Sequence, residues 1–481
     1  MTSGTEIRPA QETAKLTLRQ RLAYASGNFA SMTTGYGILS LAPYVFNLGL
    51  GVDPALVGLA LAAPRGVDLF TDPAAGYLSD RVRRYISRRA FVGWGALFSA
   101  VCFALVWWVP AGLSEHGDFN WLLIFSCATA VGWSILSIPW QALGFELTSD
   151  YHERTRLMAT STVVLGLAGI FYGWSYAVAK LPCFHSLMQG ARWVGTMMAV
   201  SILVTGTVTG FFCRESRSRT ELLAATPLAS LQGRSKGFGR ALARVFRSRP
   251  FLRVAGAVVL MCIGVFSVTG IGPYIAIYFI KHGDQAQGSI LIGASSTAWQ
   301  GTCLVFAGLV SRVSRKLGKS RALVLFLSIA LLGNIAKWVC YNPALPWLIV
   351  VPSMMFAAGF TGLWTLAPSM VADICDYEAR RTGFSDDGVF AGFYTWMIKL
   401  GSTIAFVAGG FLINLSGFRV AKGAEQGAET ILRMRLIDFS VPAVTIGLAI
   451  WLLWKYPLSE SLMQRVRTEV LQLSSPEDSV T

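Results

Sequence analysis

Long runs without charge, separated by short polar breaks, dominate the chain. Uncharged and mainly apolar stretches cover 22–52, 90–114, 119–145, 157–179, 193–213, 254–280 and 285–311. Each is long enough to cross about 30 Å of hydrocarbon as an α-helix. Between Ala322 and Ala372 the single charge is Lys337, and the break Tyr341-Asn-Pro-Ala-Leu-Pro346 divides that stretch into two more helices. Three spans are weaker because they hold charges or stop short: 56–79, 388–416 and roughly 436–454. The pattern predicts an all-α integral membrane protein of twelve transmembrane helices. Residues 1–21 are polar and no short apolar core with a small-residue cleavage site follows, so the first span is expected to be retained.

Composition agrees: 53% of residues are apolar and 14% charged, against roughly 25% charged in a soluble domain. The formal charge of +15 raises the question of nucleic acid. It is answered by where the charge lies. Of 41 Lys and Arg, 31 fall on the N-terminus, the even-numbered connections and the C-terminus, 7 on the odd-numbered connections and 3 inside helices. Basic residues near helix ends stay on the cytoplasmic side, so a multi-pass protein of the inner (plasma) membrane with both termini cytoplasmic is expected, and nucleic-acid binding is not. Arg419, Lys422, Arg433 and Arg435 fall on the outer side of that assignment, which makes the twelfth helix the least regular. Seven of the eight Cys lie in or at the ends of apolar spans and no CxxC spacing occurs, so neither a disulfide framework nor a zinc site is expected. The four histidines, His116, His152, His185 and His282, are scattered. No nucleophile with a base and no set of metal ligands stands out, which argues against an enzyme and against a cofactor.

Two pairs of loops echo each other. Gly76-Tyr-Leu-Ser-Asp80-Arg81 after helix 2 matches Gly308-Leu-Val-Ser-Arg312 after helix 8, and Asp150-Tyr151-His-Glu-Arg154 after helix 4 matches Asp376-Tyr377-Glu-Ala-Arg380 after helix 10, at offsets of 232 and 226 residues. Such an echo predicts a six-plus-six duplication, two bundles with a site between them. The division is an N-terminal bundle 1–213, a basic cytoplasmic connector 214–250 with a short amphipathic helix near Phe238 to Phe246, a C-terminal bundle 251–456 and a tail 457–481.

Charges inside apolar spans carry the chemistry. At 100° per residue, Arg65, Asp68 and Asp72 of helix 2 lie on one face, with Thr71 close by. Two carboxylates one turn apart in low dielectric must share a proton, pair with a base or bind a cation. A cation site is the economical assignment, and a static salt-bridge cluster the alternative. Lys399, inside helix 11, is long enough to reach the pair and to compete with a bound cation. Lys337, near the end of helix 9, is expected to snorkel to the membrane surface. Trp133, Trp140, Trp299, Trp364 and Trp396 lie in midspan or near helix breaks, where indole rings serve as packing or as platforms for sugar faces.

These segments resemble the glycoside-pentoside-hexuronide:cation symporters. The resemblance runs through most of the chain and rests on Asp68-x-x-x-Asp72-Pro73-x-x-Gly76, on Pro139-Trp-Gln-Ala-Leu143-x-x-Glu146-Leu-Thr148-x-Asp150-Tyr151, on Val371-Ala-Asp373-x-x-Asp376-Tyr377 and on Lys399-x-Gly401. It implies a major-facilitator-type fold that couples sugar uptake to Na⁺ or H⁺. It implies cation contacts at Asp68, Asp72 and the helix-4 hydroxyl of Ser134, with Thr71 where the family has Asn, and a coupling role for Lys399, beside which Arg65 stands. Trp364 and Thr395 match sugar-lining positions. Where the family's galactoside site has acidic, aromatic and basic contacts, this chain has Met32, Ser137, Gln141 and Thr162. Ser137, Gln141 and neighbouring Trp140 remain as substrate candidates, and simple α-galactosides are expected to be poor substrates. The related lysophospholipid carriers keep the helix-2 acid motif too, and a non-transporting sensor is the alternative from another class. The expected partners are a small sugar or glycoside and membrane lipid.

Overall fold

The protein is described by a computed structural model over residues 16–81, 85, 87–147, 151–213, 245–382, 387–422 and 425–458. Twelve long helices follow one another among the described residues. They are α1 (Leu18–Ala42, widening into Pro43–Gly49), α2 (Pro54–Arg81), α3 (Arg88–Trp107), α4 (Glu115–Glu146), α5 (Tyr151–Gly173, continued by Ser175–Ala179) and α6 (Leu187–Phe212). After the connector come α7 (Arg249–Val268, continued by Ile271–Tyr274 and Ile275–Ile280), α8 (Gln285–Leu317), α9 (Lys319–Cys340), α10 (Val350–Thr382), α11 (Asp387–Leu415) and α12 (Ala428–Trp454). The amphipathic helix expected near Phe238 to Phe246, most of the connector 214–250 and most of the tail 457–481 lie outside the described residues.

Among the described residues, ten helices are long and apolar enough to cross a membrane. The two that fall below that mark are α2, one of the three spans expected to be weak, and α1, which was not, whereas the expected weak spans at 388–416 and 436–454 pass it. Their polarity faces protein: Asn28, Ser31, Thr33 and Thr34 of α1 and Asp68 of α2 are buried. Packing repeats with a shift of six. In the first half α3 packs on α4 and α6, α2 on α4, and α1 on α5 and α6; in the second α9 packs on α10 and α12, α8 on α10, and α7 on α11 and α12. The fold is two six-helix bundles, joined where α2 meets α11 and α5 meets α8.

Prolines inside helices supply free carbonyls that hold neighbours. Pro64 lacks the N–H that would bond the carbonyl of Ala60, four residues earlier, and Ser126 Oγ of α4 donates to that carbonyl at 3.2 Å. In α12, Pro442 leaves the carbonyl of Asp438 without its helical partner, and Lys337 Nζ of α9 donates to it at 3.1 Å. The same ammonium lies 3.0 Å from Asp438 Oδ2. Lys337 is therefore corrected from a snorkelling residue to a buried one, 8% exposed, because an acid one helix away gives it a partner inside the protein. Helix α12 also starts earlier than expected, at Ala428. Its Arg435 donates to the carbonyl of Trp338 at 3.1 Å and lies over the rings of Phe279 and Trp338, which satisfies a charge that counted against a helix there.

Removing one member of a buried ion pair leaves the other charge uncompensated, at a cost of about 3–5 kcal/mol. Lys337→Met alone should lower the unfolding temperature of the purified protein sharply, and adding Asp438→Leu should restore most of the loss. A single variant as stable as the natural protein would show that the pair contributes nothing to folding, and a double variant no more stable than the single would show that the stranded carboxylate is not the cause of the loss.

Candidate functional site

The charged face of α2 sits at the seam with α11. Lys399 Nζ is hydrogen-bonded to Asp72 Oδ2 and donates to the backbone carbonyl of Asp68 at 3.2 Å, so one side chain of the second bundle binds two groups of the first. The other oxygen of Asp72 accepts from Ser134 Oγ of α4 at 2.6 Å. Thr71 Oγ1 lies 2.8 Å from Ser134 Oγ. Ser134 has a single proton, engaged by Asp72, so the single proton of Thr71 is shared between Ser134 Oγ and the carbonyl of Val67, 3.2 Å away.

Asp68 is in a different setting. Its side chain is fully buried, with Oδ2 3.3 Å from Arg65 Nη1 and Oδ1 without a partner. Asp68 borders a void of about 30 Å³ shared with Ser126, Thr129 and Trp133. Arg65 is fixed on three sides: Nη2 donates to the carbonyl of Gly35 at 3.0 Å, and the guanidinium lies over Trp133 at 4.8 Å and Tyr36 at 5.6 Å. Gly35 is required there, since a Cβ would sit 2.7 Å from the Trp133 ring. Asp72 is 26% exposed in its side chain and Lys399 18%, whereas Asp68 is enclosed. The structure thus gathers Arg65, Asp68, Thr71, Asp72, Ser134 and Lys399, drawn from three helices and both bundles, into one cluster.

The sequence-predicted substrate residues are dispersed. Trp140 turns into the first bundle, stacked on Tyr24 at 5.1 Å with Nε1 donating to the Tyr24 carbonyl at 2.9 Å, and serves as packing. Ser137 is buried, while Gln141 and Thr395 are exposed, the latter donating to the carbonyl of Ala391. Trp364 packs on Phe360 at 5.5 Å and its Nε1 is buried without an acceptor.

Sequence reasoning missed the closure at the end of the molecule bearing residues 49–54. Tyr274 donates to Asn47 Oδ1 at 2.6 Å, Asn414 donates to Asp53 at 2.8 Å, and Tyr44 stacks on Tyr176 at 4.0 Å. Gln285 Oε1 accepts from Lys180 at 2.9 Å. Below this closure, α2 and α11 touch backbone to backbone. A Cβ on Gly58 would lie 2.8 Å from the carbonyl of Phe406, and one on Gly410 would collide with the carbonyl of Pro54. The Gly409-Gly410 pair inside an apolar helix was the available signal, because small residues permit such approach between membrane helices. A cavity of about 290 Å³ between the bundles is lined by α1, α2, α5, α7, α8 and α11, including Tyr36, Tyr172, Phe266 and Phe406.

The sequence profile of the family described as MFS/sugar transport protein matches residues 23–460. The chain belongs to this family. Among its relatives, a putative glycoside/cation symporter, YagG of Escherichia coli, is 24% identical over 95% of this chain and 96% of its own length. A glucuronide carrier homologue of E. coli is 22% identical over 95% of this chain and 96% of its own. A sodium-dependent lysophosphatidylcholine symporter of Danio rerio is 21% identical over 96% of this chain and 91% of its own. Among solved structures, a D-xylose-proton symporter superposes with a TM-score of 0.63 at 14% identity, covering 92% of this chain and 97% of that one, and a nucleoside transporter with 0.62 at 13%, covering 92% and 99%. Members of the MFS/sugar transport family are multi-pass membrane transporters, and the two bundles are the major facilitator fold.

In an MFS-type protein the two bundles must separate at one end and then at the other. Gly410→Leu should obstruct the backbone contact at Pro54 and hold this end apart. The checks are uptake, expected to fall strongly with folded protein retained, and thiol labelling of Ser267→Cys, a buried position expected to react faster in the Gly410→Leu background. Unchanged labelling would mean that the contact does not control closure.

Proposed function

We propose that the protein is a secondary active transporter that couples uptake of a sugar or glycoside to Na⁺ or H⁺ by alternating access. The observation that carries this is the bond from Lys399 of the second bundle to Asp72 of the first, beside two hydroxyls that can serve as neutral oxygen ligands. Asp72, Thr71 and Ser134, with Asp68 behind them, form the cation site. Lys399 occupies it in the ion-free state, so the acid pair is never left uncompensated in low dielectric. An arriving cation displaces the ammonium from Asp72, and the tie between α2 and α11 is released. Arg65 is the link to substrate, because one guanidinium touches both Asp68 and the ring of Tyr36, a wall of the cavity.

The sugar or glycoside is supported by the family description and by the E. coli relatives. A lysophospholipid or other amphiphile carrier on the same fold is favoured by a different observation, the largely apolar wall of the cavity, and by the D. rerio relative.

Asp72→Asn keeps the shape of the carboxylate but not its charge. Concentrative uptake should be lost, with substrate exchange retained, when Na⁺ and pH are varied separately in proteoliposomes. Full accumulation in that variant would reduce the cluster to a structural salt bridge. With both termini cytoplasmic, an impermeant thiol reagent applied to intact cells should label Gly117→Cys and spare Ser235→Cys, each placed as the single cysteine of a chain whose eight native cysteines are replaced. The opposite pattern would invert the topology.

A further inference from the structure

The wall of the cavity between the bundles holds few polar side chains, and its serine, threonine and asparagine groups already make hydrogen bonds within the protein. Ser40 Oγ donates to the carbonyl of Gly37 at 2.8 Å, Ser267 Oγ to Ile263 at 2.6 Å, Thr269 Oγ1 to Phe266 at 2.7 Å and Ser296 Oγ to Gly169 at 3.3 Å. Asn47 donates to the carbonyl of Val52 at 2.7 Å and accepts from Tyr274. Lysine, arginine and carboxylate side chains are absent from the wall among the described residues. The rest is hydrocarbon and rings, with Tyr36 stacked on Tyr172 at 6.2 Å between centroids and Leu39, Leu61 and Ile292 beside them. A hydroxyl-rich sugar placed there would exchange water for few partners, and a charged group would lose hydration without an opposite charge. An uncharged apolar group would lose nothing and gain the ring contacts. About 150 Å³ is enough for a benzene ring, and this cavity holds about 290 Å³.

We propose that this cavity is a subsite for an uncharged aryl or alkyl group attached to the polar part of the substrate, so that the protein prefers glycosides with an apolar aglycone over free sugars. The inference rests on the transport function proposed above and adds a substrate class to it. The tyrosine pair sets the preference: its rings hold the aglycone, and Arg65 over the ring of Tyr36 ties that contact to Asp68.

The experiment uses the full chain in lipid nanodiscs free of alkyl-glycoside detergent. Apparent affinities are obtained from the rise in unfolding temperature with ligand concentration. The probes are methyl, phenyl and hexyl β-glucosides, β-galactosides, β-xylosides and β-glucuronides, with lysophosphatidylcholine as a separate arm. For at least one sugar, the phenyl or hexyl glycoside should bind about tenfold or more tightly than the methyl glycoside, and Ile292→Trp, which fills the cavity, should bring that ratio towards one. Equal affinities for methyl and phenyl glycosides would overturn the subsite and leave sugar transport standing. Binding of lysophosphatidylcholine alone, abolished by Ile292→Trp, would uphold the subsite and overturn the glycoside. If no probe raises the unfolding temperature, both fall.

Discussion

A lysine and an aspartate on opposite bundles, bonded in the low dielectric of a membrane protein's interior, set the conditions for everything else at the seam. Lys399 and Asp72 could each be buried alone only at a cost of several kcal/mol. Together they are tolerable, and the two bundles must then meet at this height. The other features at the seam serve that meeting. Pro64 and Pro73 break the regular bonding of α2 on either side of the acids, Ser134 orients one oxygen of Asp72, and the carbonyl of Asp68 takes a second bond from the ammonium. Further along the seam the helices approach until Gly58 and Gly410 touch. A polar contact at midspan and a backbone contact near one end together define a single closed arrangement of α2 against α11.

Asp68 and Asp72, one turn apart, are not equivalent. Arg65 locks Asp68 within the first bundle, where it is buried, whereas Asp72 is shared with the second bundle and partly exposed. In the proposed cycle the exposed acid exchanges partners and the buried one senses the cavity through Arg65. An arginine suits the fixed role because its planar fork reaches a carboxylate, a carbonyl and two ring faces at once, and a lysine suits the exchangeable role because its charge is compact and readily rehydrated.

Much of this was legible in the sequence, for identifiable reasons. Uncharged runs of the right length located the helices, and the facing of Arg65, Asp68 and Asp72 followed from helical period alone. That Lys399 meets Asp72, 327 residues away, needed only that isolated membrane charges find partners. The substrate wall was not legible. Tyr36, Tyr172 and Phe406 look like any aromatic residues in apolar helices, and their convergence depends on how the bundles pack. The setting of Trp140 was not legible for the same reason, since an indole in midspan faces a site or a neighbouring helix depending on rotation. Asp438 was overlooked although a single acid near the start of the twelfth span was visible, and with it went the partner of Lys337.

That last pair has a consequence for how the chain is made. Lys337 and Asp438 are separated by 101 residues, so at about 5–20 residues per second the ninth helix enters the membrane roughly 5–20 s before its acid is synthesised. During that interval the lysine has no partner, and its only hydrated position is the nearby membrane surface. Snorkelling, wrong for the finished protein, describes the nascent one. The buried position of Lys337 therefore cannot be completed before Asp438 and the carbonyl freed by Pro442 have been made.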